Sequence, residues 1–260
     1  MRQYTHLGDG ASKTGNRICD PKLGPNEVRG GYSGRPNDRW AFTTKCAAMQ
    51  YGSVAALAAA AQALRGYDDA LARERMETAV RIWNEEHANP TPARGGLGGP
   101  GAGMVTGEKW NAAIQLVLAT GRGEPYRKRV LEMFPSMMQR FGFGGWPAVH
   151  VLPYMDAEFR KQFESGLKTN VVQLDRELAA APFGVPPTRG GWGGTGGIMD
   201  LGIRMYFLHK ALPQIVSKDY TVRAAEYILG THPVSSRSYV AGVGTRSHLN
   251  AYGNNRADQS

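Results

Sequence analysis

Cysteine is nearly absent from this sequence: Cys19 and Cys46 are the two in 260 residues. They have neither the density of a disulfide-stapled domain nor the CxxC spacing of a metal site, so both are read as structural. Long apolar runs are missing too. The greasiest stretch, Val54 to Ala63, is mostly alanine and falls short of the ~18 residues that a membrane span needs, so no membrane partner is expected. The opening Met1-Arg2-Gln3-Tyr4-Thr5-His6 has a charge but no apolar stretch behind it, and so lacks the pattern of a secretory signal.

Other absences remove whole classes of chemistry. The six histidines are widely separated and His87, after Glu85 and Glu86, makes no HExxH pattern, so neither a metal nor another cofactor is expected. Ser235 and Ser236 sit in no GxSxG elbow, which argues against an α/β-hydrolase. No GxGxxG fingerprint follows a strand and no Gly-Lys-Ser/Thr occurs, which argues against a nucleotide site. Acidic residues are outnumbered by basic ones, 22 to 31, giving a formal charge of +9. The Lys and Arg are nonetheless scattered, with no tight basic run, so the surface reads as solvated and no nucleic acid is expected. An acidic polysaccharide or an acidic partner domain would suit it equally.

What is present is helical. Strand-like alternation is nearly absent, and with 42% of residues apolar the chain is long enough to bury a core as one domain. Residues 1–42 are rich in Gly, Pro, Asn and Asp and form a loop-rich segment, punctuated by turns such as Gly24-Pro25-Asn26 and Arg35-Pro36-Asn37-Asp38. The helical portion then occupies 43–260. Thr43 and Thr44 open a helix to about Leu64, with Val54, Leu57, Ala61 and Leu64 on one stripe and alanines that allow close helix approach. Gly66 stops it. A second helix runs from Asp68 to about His87, with Asp68 and Asp69 suited to the N-terminal dipole; the short connection makes an antiparallel hairpin. Asn89 to Gly107, with Pro90, Pro92 and many glycines, reads as loop. Further helices are expected at Glu108–Thr120, Tyr126–Phe141, Asp156–Ala181, Gly196–Leu212 and Lys218–Leu229.

Three helix junctions, around Tyr67, Tyr126 and Tyr220, close one helix and place a tyrosine before the next, a degenerate repeat of helical hairpins. Such hairpins stack into an open solenoid or close into a ring. Long loops rich in Gly, Trp and Tyr recur after alternate helices, as expected when one rim of a ring carries a binding cleft. The expected fold is therefore all-α, a toroid of helical hairpins.

Two segments could carry binding chemistry. Arg189 to Gly197 has Gly at six of nine positions around Trp192, so its backbone can lie close to a ligand while one indole stands out to stack on a ring face. Trp192 could equally plug the core beneath a tight turn. Ser238 to Asp258 packs hydroxyl, amide, imidazole and guanidinium donors into a non-helical segment, which suits a hydroxyl-rich ligand or, alternatively, a surface loop that uses its own polar groups for turns. Asp38 and Asp9 are candidate cleft carboxylates or turn formers; Asp68, Asp69 and Asp156 read as helix starts.

In order, these segments resemble the catalytic domain of glycoside hydrolase family 9. Gly34-Arg35-Pro36-Asn37-Asp38 matches a Trp-Gly-Arg-Pro-Glu-Asp-like loop, and Glu108-Lys109-Trp110-Asn111-Ala112-Ala113 with Ala119-Thr120-Gly121 and Tyr126 looks like that family's Glu-x-x-Trp-Ala-Ala hairpin. Trp192-Gly193 is similar to its Trp-Gly-Ser-Asn segment. Tyr227-Ile228-Leu229-Gly230-Thr231-His232-Pro233 with Arg237-Ser238-Tyr239-Val240-Ala241-Gly242-Val243-Gly244 is the most specific match.

The resemblance implies an (α/α)6 barrel, here incomplete, and hydrolysis of β-linked glucans or related polysaccharides with inversion at the anomeric carbon. It implies sugar binding by Trp192, Tyr32, Tyr239, His248, Tyr252, Asn254 and Arg256. Two departures matter. The family's Asp-Ala-Gly-Asp segment does not occur here, and its acid, a glutamate beyond the Tyr-Val-Thr-Gly loop, has no counterpart, so no catalytic residue is assigned. The expectation is a single domain truncated at both ends, a fragment inactive alone, whose partners are a polysaccharide substrate and missing flanking segments of the same enzyme. A secreted or periplasmic parent is expected. The alternatives are a non-catalytic sugar-binding or scaffold toroid, or a polysaccharide lyase using His248 or Tyr252 with Arg256.

Overall fold

The structure is a computed structural model, and it describes residues 6–7, 12–13, 17–36, 38, 46–92, 102–121, 123–181, 183–185, 194–232, 236–240, 242–244 and 246. The chain divides into two compact units, Met1–Thr43 with Ile228–Ser260, and Thr44–Tyr227.

In the first unit the described strands are short. β1 (His6–Leu7) pairs antiparallel with β2 (Ser12–Lys13). A second sheet places β5 (Tyr32–Ser33) between β3 (Ile18–Cys19), to which it runs parallel, and β4 (Val28–Arg29), to which it runs antiparallel. Gly30 and Gly31 make the β4–β5 turn, with Gly30 at φ +58°, a conformation that costs a glycine little. Period-2 geometry points Tyr32 outward, 50% exposed, and buries Ser33.

The second unit is helical: α1 (Ala47–Leu64), α2 (Asp69–Ala88), α3 (Ala102–Thr120), α4 (Glu124–Met138), α5 (Ala157–Ala179), α6 (Thr195–Ala211) and α7 (Asp219–Leu229), the last two residues of α7 belonging to the first unit. Two starts anticipated from the sequence are capped as they should be: Asp68 accepts from the Leu71 N–H at 2.9 Å and Asp156 from the Phe159 N–H at 2.8 Å.

Two stretches differ from expectation. α3 begins at Ala102, so residues 102–107 are helix rather than loop. Packing on α1 and a partly buried Val105 in the core outweigh the ~1 kcal/mol that each glycine costs a helix. The stretch after α4 is not a plain divider either. A π-turn (Phe141–Gly145) runs into a 3₁₀ segment (Trp146–Tyr154), entered by Pro147 and closed around Pro153, with Ala148, Val149, Val151 and Leu152 buried.

The packing order gives the architecture of this unit. α1 packs on α2 and α3, α3 on α4 and the 3₁₀ segment, and the 3₁₀ segment on α5 and α6. Every second element therefore neighbours the next but one: α1, α3, the 3₁₀ segment and α6 form one row, with α2, α4 and α5 behind it. Thr221 of α7 donates to the Gly202 carbonyl of α6 at 3.1 Å, extending the second row. Two rows of hairpins, the all-α arrangement of an (α/α) toroid, are what the junction repeat implied. The core between them holds Trp83, Trp110, Ile114, Phe134, Phe163, Leu167 and Leu208. Among the described residues, no helix is long and apolar enough to cross a membrane and no cluster could hold a metal ion.

Candidate functional site

In the first unit, residues 236–240, 242–244 and 246 are braced against one another and against the end of α7. The Tyr239 N–H donates to the Ile228 carbonyl at 2.9 Å and the Ser238 N–H to the Arg246 carbonyl at 2.8 Å, while the Ser238 hydroxyl accepts from the Val240 N–H at 3.0 Å. Gly230, Gly242 and Gly244 adopt positive φ at the bends. Tyr239 remains 38% exposed and stacks on His232, with ring centroids 4.4 Å apart and planes inclined by 22°. The His232 Nε2 lies 2.7 Å from the Arg237 carbonyl. An exposed tyrosine held by a second ring is a rigid platform for an apolar sugar face. His232 was in the quoted phrase, yet its backing role was not legible, because stacking depends on the loop's bend.

Tyr32 is the other expected sugar contact within the described residues. Its neighbour Ser33 donates to the Asp38 carboxylate, and both of those side chains are buried. Asp38 is thus a turn former, the second of its two readings, and not an open cleft carboxylate. Trp192, His248, Tyr252, Asn254, Arg256 and Asp9 lie outside the described residues.

In the second unit, α1, α3, the end of α4 and the 3₁₀ segment surround a cavity of about 1080 Å³. Alanines 55, 56 and 59 of α1, with Gly107 and Gly144, leave the space. Glu108, Asn111 and Gln115 project from one face of α3, spaced three and four apart, opposite Arg140, Trp146 and His150. Gln115 accepts from the Gln62 amide at 3.2 Å, which fixes the orientation of its own amide. Gly52 makes room for Glu108: a Cβ there would lie 3.3 Å from the carboxylate. His150 stands edge-on to Trp146 at 5.9 Å and to Phe207 at 4.9 Å, and burial pushes its pKa below the usual imidazole value, so it is neutral at pH 7.

Amides, a neutral imidazole and an indole in one cavity match a hydroxyl-rich ring compound. Glu108 is the one carboxylate among the lining residues, and a single carboxylate cannot serve at once as acid and base on opposite faces of a sugar. None of these side chains was on the sequence-derived list. The available signal was a polar stripe, Glu108, Asn111 and Gln115, on a helix otherwise apolar nearly all round.

A family model described as glycosyl hydrolase family 9 matches residues 3–258. No curated protein matches the chain. Among solved structures it is similar to a metagenome-derived glycoside hydrolase family 9 endoglucanase, at 20% identity and TM-score 0.68, over 96% of this chain and 47% of that one. It is similar also to AaCel9A in complex with cellobiose-like isofagomine, at 19% identity and TM-score 0.67, over 88% and 46%. The cellulase Cel9M of C. cellulolyticum matches at 16% identity and TM-score 0.66, over 83% and 50%. This chain therefore spans about half the length of the structures it matches, which share its fold. With the family model covering nearly every residue, the chain belongs to glycosyl hydrolase family 9.

Proposed function

We propose that this chain supplies one wall of the substrate cleft of a glycoside hydrolase that acts on β-linked glucans with inversion. Family membership over residues 3–258 carries the reading, and the cavity of amides, His150 and Trp146 supports it. Sugar rings stack on Tyr32, Tyr239 and Trp192, and their hydroxyls bond to His248, Tyr252, Asn254 and Arg256. Flanking segments of the same enzyme complete the cleft.

Inversion requires a general acid and a general base roughly 6.5–9.5 Å apart, so that water fits between base and sugar. The sequence contains no Asp-Ala-Gly-Asp segment to provide the base, and Glu108 stands alone among the carboxylates lining the cavity. The chain by itself therefore binds glucan and turns it over weakly or not at all.

The test is an assay of the purified chain on soluble β-glucan, reading reducing-end release together with calorimetric binding of cello-oligosaccharides. Binding without release is the expected outcome. Robust release would show that an internal carboxylate, Glu108 or Asp9, performs the chemistry; no binding of any glucan would overturn the reading.

A further inference from the structure

On the side of α1 where α2, α3 and α4 meet lies a partly buried polar cluster that the sugar site does not use. His87, in the last turn of α2, lies over Trp83 with ring centroids 4.3 Å apart and faces the Tyr51 ring edge-on at 5.7 Å. Its Nδ1 lies 2.8 Å from the Trp83 carbonyl, four residues back. Its Nε2 is buried and has no hydrogen-bond partner. Lys109 of α3 sits 5.3 Å above the Tyr51 ring.

The neighbouring Glu86 is 1% exposed, and its carboxylate is held by the next segment of chain. It accepts from the Thr91 N–H at 2.9 Å and from the Thr91 hydroxyl at 3.0 and 3.1 Å. The Pro92 carbonyl in turn accepts from the Ala47 N–H at 3.0 Å, which ties this segment to the start of α1. The last turn of α2 therefore clamps residues 89–92 to α1, and His87 is packed inside that turn.

We propose that His87 is an acid-sensitive latch: its protonation expels the ring from its place over Trp83, loosens the last turn of α2 and frees residues 89–92 from the start of α1. The charged and titratable groups around the ring are Tyr51 from α1, Glu86 from α2, Lys109 from α3 and Arg129 from α4, with Tyr126 of α4 against Trp83. Burial is the largest influence on the imidazole. It lowers the pKa, Lys109 and Arg129 lower it further, and the Trp83 carbonyl and Glu86 oppose them without prevailing. Glu86 is the smallest of these influences.

The sign follows from linkage. A histidine held below its unfolded pKa of 6.5 contributes stability that is present above about pH 6.5 and is lost as pH falls toward the folded value.

Hydrogen exchange of the full chain from pH 7.5 to pH 4.5, corrected for intrinsic rates, tests this at the Thr91 and Ala47 amides. Protection should fall on the order of tenfold for each pH unit between about pH 6.5 and the folded value, and level off below it. His87→Phe, which keeps an aromatic ring over Trp83 and cannot be protonated, should abolish the transition. If it shows the same transition, a group other than His87 is titrating and the proposal fails. Should that variant not fold, Lys109→Met decides. Removing a neighbouring cation eases protonation, so the lower end of the transition should move to higher pH, and an unmoved lower end would overturn the latch. Unchanged protection in the wild-type chain down to pH 4.5 would also overturn it.

Discussion

Asp68, Asp156 and Asp38 are the same residue type with two fates. Asp68 and Asp156 precede apolar-periodic runs and cap helices, as their sequence context dictated. Asp38 follows a Gly-Arg-Pro turn, a context compatible with either a cleft or a brace, and burial beside Ser33 decided for the brace. Gly34 shows the same tight packing from the backbone side, because a Cβ there would lie 1.9 Å from the Gly24 carbonyl oxygen. Ser33→Ala leaves the Asp38 carboxylate short of a donor in a buried place, and should lower stability by about 1–3 kcal/mol. Gly34→Ala requires the backbone itself to move and should cost at least as much. Urea denaturation midpoints at constant slope check both.

Helix positions were largely legible, since apolar residues at helical spacing, acidic starts and Gly or Pro stops all survive as local signals. What was not legible is where context overrides them. Residues 102–107 are glycine-bearing yet helical because α1 lies against them, and the apolar run from Trp146 to Leu152 is too short and too proline-bounded to declare its 3₁₀ form in advance. α6 makes a further point at this scale. It buries Ile198, Leu201, Met205 and Leu208, but Met199, Ile203 and Tyr206 form a second apolar stripe that is about half exposed. Replacing those three with Gln should leave stability within about 0.5 kcal/mol per site and reduce self-association, as read by light scattering against concentration. An unchanged association state would show that this stripe makes no contact between copies.

For the molecule as a whole, the hairpin repeat conveyed the fold class and the ordered phrases conveyed the family, but the cavity was invisible along the chain. Its residues come from α1, α3, α4 and the 3₁₀ segment and are up to 95 positions apart, Ala55 to His150. Trp146 lines that cavity together with the fully buried Trp110, so Trp146→Ala should weaken cello-oligosaccharide binding roughly three- to tenfold through lost stacking. Calorimetry reads this, and unaltered affinity would place the sugar elsewhere. Tyr32 and Tyr239, in the other unit, provide an independent comparison.

The sequence by itself determined that the chain is helical, that its helices come in hairpins and that it belongs among the family-9 glycoside hydrolases. Periodicity, caps and motif phrases are all written within a few residues of one another. Only the tertiary structure decided that Asp38 is a buried brace, that Tyr239 rests on His232, and that a polar stripe of α3 faces Trp146 and His150 across an open space. Those outcomes depend on which distant side chains exclude water from which others, a property of packing that no local stretch of residues contains.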